Sequence, residues 1–111
     1  MAHRLFVYGT LRDPAVQRVV FGRTLPGAAD ALTGFRVGEV AIADPDVVTA
    51  SGLPMHRILH PTGDPADVIE GLVLFVTDPD LAAADVYETA AYRRVAVTAR
   101  SGASVFVYIA S

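Results

Sequence analysis

The sequence predicts an α+β fold: a small, mixed, partly closed β-barrel of about six or seven strands with two or so flanking helices. Three observations predict it. Of 111 residues, 52% are hydrophobic and 19% charged, which supplies one buried core and argues against disorder. Short apolar or alternating runs recur between Gly, Pro and Asp punctuation. Helix-start chemistry marks only two places, too few for a regular βαβ alternation. The length fits one domain over residues 1–111, and no repeat, linker or low-complexity segment divides it.

Each element has its own local signal. His3 to Tyr8 (HRLFVY) is a compact apolar run ended by Gly9, and it reads as a buried strand. Asp13-Pro14 is an N-cap followed by the Pro favoured at the first helical position. The helix it opens runs from Ala15 to about Phe21, because Gly22 and then Pro26-Gly27 stop it. Thr33 to Ile42 (TGFRVGEVAI) is expected as one strand, kinked or bulged at its two glycines. Ala43 to Pro54 is turn-rich and ambiguous. Met55 to His60 is a further strand, closed by Pro61 and the loop TGDPAD.

Val68 to Val76 (VIEGLVLFV) has the near-continuous apolar character of a centre strand buried on both faces. Thr77-Asp78-Pro79-Asp80 combines a capping residue, an early Pro and first-turn acids, and so starts a helix through LAAADVYETA. Arg93 to Arg100 and Ser104 to Ile109 alternate and are joined by Ser101-Gly102-Ala103, the pattern of a hairpin.

Composition excludes whole classes of chemistry. The chain has no Cys, which removes disulfides, thiolate metal sites and cysteine nucleophiles. All nine cations are Arg, so there is no Schiff-base lysine and no P-loop lysine. Arg in place of Lys, with abundant Ala, Val, Gly and Asp, is the signature expected of a GC-rich bacterial genome. A net charge of −3 with scattered arginines leaves no footprint for nucleic acid. The N-terminal apolar run is too short for a signal peptide, and no span of ~20 apolar residues exists. The expected location is cytoplasmic, with neither membrane nor nucleic acid as a partner.

Two places can carry chemistry. The first is Tyr8-Gly9-Thr10-Leu11-Arg12, where a buried strand stops and a helix begins a few residues later. Successive backbone N–H groups in such a bend converge into an anion-binding concavity, and Gly9 permits close approach. An ordinary strand-to-helix turn is the commoner meaning of the same fragment. The second is Glu88, one of three glutamates with Glu39 and Glu70. Glu39 and Glu70 read as polar members of alternating strand faces. Glu88 lies among Val86, Tyr87, Ala90, Ala91 and Tyr92, and one further helical turn would bring Tyr92 to it at i+4. Burial there would raise its pKa and suit it to proton transfer near neutral pH. The alternative is a solvated glutamate near a helix end. Asp85, three residues earlier, reads as a helix-surface or structural acid.

Other candidates are weaker. His56 and His60 share one side of a strand between Pro54 and Pro61, but no third ligand accompanies them, so no metal or other cofactor is expected. The serines form no G-x-S-x-G elbow, and the Asp-Pro segments lack Ca²⁺-loop spacing. Tyr108 is an aromatic core residue whose hydroxyl needs a partner.

Together the segments FVYGTLR, EGLVLF, DVYETAAYRRVAV and VFVY, in that order, resemble the γ-glutamylcyclotransferase-like superfamily, specifically the branch of γ-glutamylamine cyclotransferase and the avirulence-induced-gene-like proteins. The resemblance implies a barrel-like mixed sheet around a cavity and favours the functional reading at both places. It maps an anion-binding loop onto Tyr8, Gly9, Thr10 and Leu11, and a general acid/base onto Glu88. It matches the family's preceding acid to Asp85, its Tyr-x-Arg to Tyr92 and Arg94, and its late-strand tyrosine to Tyr108. Two departures stand out: family members commonly carry Gly where this chain has Thr89, and the glutathione-handling branch has an Asn in its loop, whereas this chain has none.

The implied chemistry is intramolecular. The α-amine of a γ-glutamyl amide or peptide attacks its own γ-carbonyl, forming 5-oxoproline and releasing the amine, so no covalent nucleophile is required. The enzyme must hold the substrate curled, move a proton from the α-ammonium to the leaving nitrogen, and stabilise the oxyanion. Glu88 is assigned the proton transfers, the Gly9 to Leu11 amides the anion, and Tyr92 and Tyr108 the cavity wall. A non-catalytic module binding a small carboxylate or amine is the alternative, as is an enzyme that unmasks a γ-glutamyl-protected biosynthetic intermediate.

Overall fold

The computed structural model describes residues 2–53 and 55–111. Its elements run β1 (Ala2–Val7), a 3₁₀ turn (Thr10–Arg12), α1 (Pro14–Phe21), β2 (Gly27–Thr33), β3 (Phe35–Ala41), α2 (Pro45–Ser51), β4 (Met55–Pro61), β5 (Val68–Thr77), α3 (Asp78–Glu88), β6 (Tyr92–Thr98) and β7 (Ser104–Ala110). Five strands form one sheet in the order β2-β5-β1-β7-β6, and β3 and β4 pair separately. Among the described residues only the β1–β7 ladder is parallel, with Leu5 beside Phe106; the others are antiparallel. The architecture is therefore the expected α+β with mixed pairing. The large sheet stays open, and the β3–β4 pair, whose strands are joined through α2, packs against one of its faces.

β1 lies at the centre of the sheet, and its alternation divides the core. Leu5 and Val7 face the helices with Leu74, Val76, Val16, Leu81 and Ala84. Phe6 faces the β3–β4 pair with Val73, Val107 and Leu59. Complete burial of side chains such as Leu5, Leu59 and Val107 stabilises the fold by roughly 1.5–3 kcal/mol each. β5 carries apolar residues on both faces as expected, but two of them are open near its ends: Val68 is 41% exposed and Phe75 is 45% exposed beneath the Arg4 guanidinium. Gly71 marks a close approach: a Cβ there would press on the Val7 carbonyl oxygen and lie 2.8 Å from Phe6 Cζ.

The helix starts obey their capping chemistry. Asp13 accepts from Ala15 N–H at 2.8 Å ahead of Pro14. Thr77 and Asp80 form a capping box at the start of α3. Arg23 grips Asp80 with two bonds of 2.9 and 2.8 Å, which ties the end of α1 to the start of α3 and holds the Asp80 carboxyl below the usual carboxylate range.

Three expectations need correction. The strand expected over 33–42 is β3, shortened to Phe35–Ala41, and an unexpected strand precedes it: Gly34, with φ +83, ends β2 and turns the chain into the second sheet. The ambiguous segment 43–54 contains helix α2, capped by Asp44 through Asp46 N–H at 2.9 Å; Pro54 at its end lies outside the described residues. The helix through Glu88 does not continue to Ala90, because Thr89 leaves the helical region at φ +63 and ψ −175. No helix among the described residues is long and apolar enough to cross a membrane.

Candidate active site

The chain leaves the sheet at the end of β1 through Tyr8 and Gly9, and the bonding of its peptide groups there defines the site. The Tyr8 carbonyl accepts from Arg57 Nη1 at 2.6 Å, and the Gly9 carbonyl accepts from Arg12 N–H at 3.1 Å and Arg12 Nε at 3.2 Å. The amides of Gly9, Thr10 and Leu11 donate to no acceptor among the described residues. Three consecutive N–H groups thus stand free at the mouth of a bend, the arrangement that receives an anionic oxygen.

Glu88 ends α3 and lines the same cavity. That cavity, of about 20 Å³, is bounded by Val7, Tyr8, Gly9, Thr10, Leu11, His56, Arg57, Glu88, Tyr92 and Tyr108, and it is large enough for roughly one water molecule. The Glu88 carboxyl has no hydrogen-bond or ion-pair partner among the described residues. No sealed side-chain oxygen among them lacks a partner, so this carboxyl opens onto the cavity instead of being enclosed by the core. Burial raises its pKa from 4.5 to about 8, because desolvation penalises the charged form and no cation offsets it.

Tyrosines and one arginine frame the acid. Tyr8 donates to the Tyr108 carbonyl at 2.6 Å, and Tyr92 donates to the Arg57 carbonyl at 2.7 Å. The phenols of Tyr8, Tyr92 and Tyr108 are all pushed up, chiefly by burial and secondarily by neighbouring negative charge, so all three stay neutral donors. Tyr108 donates to Asp85 Oδ1 at 2.7 Å, and Arg94 pairs with that same oxygen at 3.2 Å. Behind the loop, the Thr10 and Tyr87 hydroxyls lie 2.6 Å apart.

The sequence-predicted residues Tyr8, Gly9, Thr10, Leu11, Glu88, Tyr92 and Tyr108 thus come together around one cavity. Tyr92 arrives by a different route from the one expected, from the start of β6 and not from a continued helix. Asp85 braces α3 against β6 and β7, and Glu39 and Glu70 lie on exposed strand positions. His56 is a cavity wall: it is buried, bonded to Ser51 Oγ at 2.9 Å and stacked on Tyr87, and burial lowers its pKa. The described residues gather no group of three His, Cys, Asp or Glu able to hold a metal.

Sequence reasoning missed Arg57. It lies within MHRILH, where a lone Arg reads as the polar member of a strand, and only the fold brings it to the Tyr8 carbonyl. A wider groove of about 740 Å³ passes Arg12, Asp30, Glu70 and Arg100. Asp30 is bonded to Ser101 and Glu70 is exposed, so the groove lacks the half-buried, unpartnered acid that makes the smaller cavity a candidate for catalysis.

No curated protein matches the chain in sequence. The solution structure of At3g28950.1 from Arabidopsis thaliana is similar at a TM-score of 0.71 and 25% identity, over 99% of this chain and 62% of that one. The chain thus spans less than two thirds of that relative's length. At5g39720.1 from the same plant gives 0.72 and 26%, over 98% of this chain and 68% of the other. A structure described as gamma-glutamyl cyclotransferase shares the fold at a TM-score of 0.68 and 14% identity, over 100% of this chain and 68% of that one. The family model described as gamma-glutamyl cyclotransferase, AIG2-like, matches residues 5–111, and the chain belongs to that family.

Proposed function

We propose that this chain is a γ-glutamyl cyclotransferase that converts a γ-glutamyl amine or γ-glutamyl peptide to 5-oxoproline and the free amine. The observation that carries the reading is the pairing of an unpartnered, half-buried Glu88 carboxyl with three free amides on one small cavity.

The substrate is held curled, so that its α-nitrogen lies against its own γ-carbonyl carbon; this closeness supplies much of the rate. Glu88 takes a proton from the α-ammonium, and the freed amine forms the new carbon–nitrogen bond. The carbonyl oxygen becomes an oxyanion, and the substrate already carries an α-carboxylate; the Gly9 to Leu11 amides offer donors for such anionic oxygens. Glu88 then passes that proton to the leaving nitrogen as the original amide bond breaks, and the attacking nitrogen's second surplus proton follows by the same carboxylate, so the lactam keeps one N–H and the amine departs as its ammonium form. One carboxyl serves both transfers, a contribution on the order of 10²–10⁴ in rate. A pKa of about 8 suits both halves of that task, and only the catalytic reading requires an ionisable group at position 88.

The test is incubation with a panel of γ-glutamyl amines and γ-glutamyl amino acids while 5-oxoproline is measured. Wild type should release it, and Glu88→Gln should not. Binding of 5-oxoproline without turnover of any member would favour the non-catalytic alternative.

A further inference from the structure

Arg57 belongs to β4 of the smaller sheet, yet both its side chain and its backbone hold walls of the Glu88 cavity. Nη1 donates to the Tyr8 carbonyl at 2.6 Å, and the Arg57 carbonyl accepts from the Tyr92 hydroxyl at 2.7 Å. In register Arg57 stands opposite Glu39, and residues paired in that way share one face of a ladder. No ion pair joins them among the described residues. The guanidinium leaves a ready carboxylate beside it and reaches across the fold to a backbone oxygen.

The consequence lies in the peptide that this oxygen belongs to. A trans peptide is planar, with its carbonyl and N–H pointing in opposite directions, so fixing the Tyr8 carbonyl also fixes the Gly9 N–H. Among the described residues the Gly9 amide has no acceptor, and the Tyr8 carbonyl has no hydrogen-bond donor but Arg57. Gly9 adds little restraint of its own, because it has no Cβ and nothing lies within 4 Å of where one would be. The following peptide is different: its Gly9 carbonyl is held locally, by the Arg12 amide and Nε.

We infer that Arg57 is a positioning residue, which sets the Tyr8–Gly9 peptide so that the Gly9 N–H faces an anionic oxygen of the substrate. The inference rests on the cyclotransferase reading. A donor already in place needs no reorganisation during the reaction, and losing one outright costs about 10²–10³ in rate. Loosening it costs less.

The test uses the full chain with Arg57→Met, which removes the donor, and Arg57→Lys, which keeps a cationic donor without the planar fork. Kinetics are run on whichever γ-glutamyl amide wild type cleaves best, at a temperature where circular dichroism shows each protein folded. Arg57→Met should lower kcat/KM by about tenfold or more, and Arg57→Lys should recover part of the loss. In ¹H–¹⁵N NMR, saturating 5-oxoproline should move the Gly9 amide proton downfield in wild type and much less in Arg57→Met. Should Arg57→Met not fold, Arg57→Gln, whose side chain is two bonds shorter, takes its place under the same expectations. Wild-type activity in the donor-free variant, or a loss of activity with the Gly9 response unchanged, would overturn the inference and leave the cyclotransferase reading standing. Failure of wild type to release 5-oxoproline from any γ-glutamyl amide would overturn both.

Discussion

Tyr108 donates its hydroxyl to Asp85 Oδ1 at 2.7 Å, fixing the last strand of the sheet to the helical turn that ends in Glu88. Arg94 closes the arrangement from β6, with its guanidinium 5.0 Å from the Phe106 ring centroid. The brace is partly exposed, so its worth in stability is modest. Its consequence is positional, since it holds the acid where the free amides are.

Tyr108→Phe should therefore cost only about 1 kcal/mol of stability while lowering kcat about tenfold. KM should change much less, because the substrate's anchoring groups are untouched. Steady-state kinetics beside thermal melts separate the two effects, and Asp85→Asn should show the same split.

Gly9 has no positive φ that would require glycine, and a Cβ there meets nothing within 4 Å. The chain itself does not need the hydrogen at this position; on the proposed reading the open space beside it admits the ligand. Gly9→Ala should melt within about 0.5 kcal/mol of wild type and lose most of its affinity for 5-oxoproline, as calorimetry would report. A variant that binds as wild type does would remove Gly9 from the site.

Thr89 follows Glu88 with φ +63 and ψ −175, a region that glycine alone occupies at low cost. This gives a physical reason for the Gly common at this position in the proteins the sequence resembles. Strain of this kind costs about 1–3 kcal/mol, offset in part by the greater freedom of an unfolded glycine. Thr89→Gly should stabilise the chain by about 1 kcal/mol in urea melts. Loss of stability would mean that the weak bond from Ala91 N–H to Thr89 Oγ1, at 3.5 Å, outweighs the strain.

The Glu88 carboxyl is shifted upward by burial, from 4.5 to about 8. Between these values the folded chain keeps a proton that the unfolded chain has lost, so this group makes stability fall as pH rises through the window. Glu88→Gln should therefore gain on wild type by on the order of a few kcal/mol at pH 9 and differ much less at pH 4. Urea melts of both proteins at the two pH values give the comparison. An equal difference at each pH would show that Glu88 is solvated.

Much of the fold was legible locally. Asp13-Pro14 and Thr77 to Asp80 mark their helices because capping is short-range chemistry. The β1 run and the β6–β7 hairpin come from apolar pattern and a glycine turn. Asp44-Pro45 carries the same cap signal as Asp13-Pro14, but surrounding turn residues obscured it. β2, GAADALT, has neither β-branched runs nor clear alternation and becomes a strand by pairing with β5. Within the site, the bend at Gly9 and the apolar company of Glu88 were visible along the chain. Arg57 was not, because its role depends on a 2.6 Å contact across the fold.

The most direct measurement is a carboxyl ¹³C NMR titration of the three glutamates, with the Glu39 and Glu70 resonances as internal references. Glu88 should titrate near 8, and its midpoint should move when 5-oxoproline is added. A Glu88 midpoint in the ordinary carboxylate range, indifferent to 5-oxoproline, would contradict the placement of a proton-shuttling acid against the amides of the β1 bend.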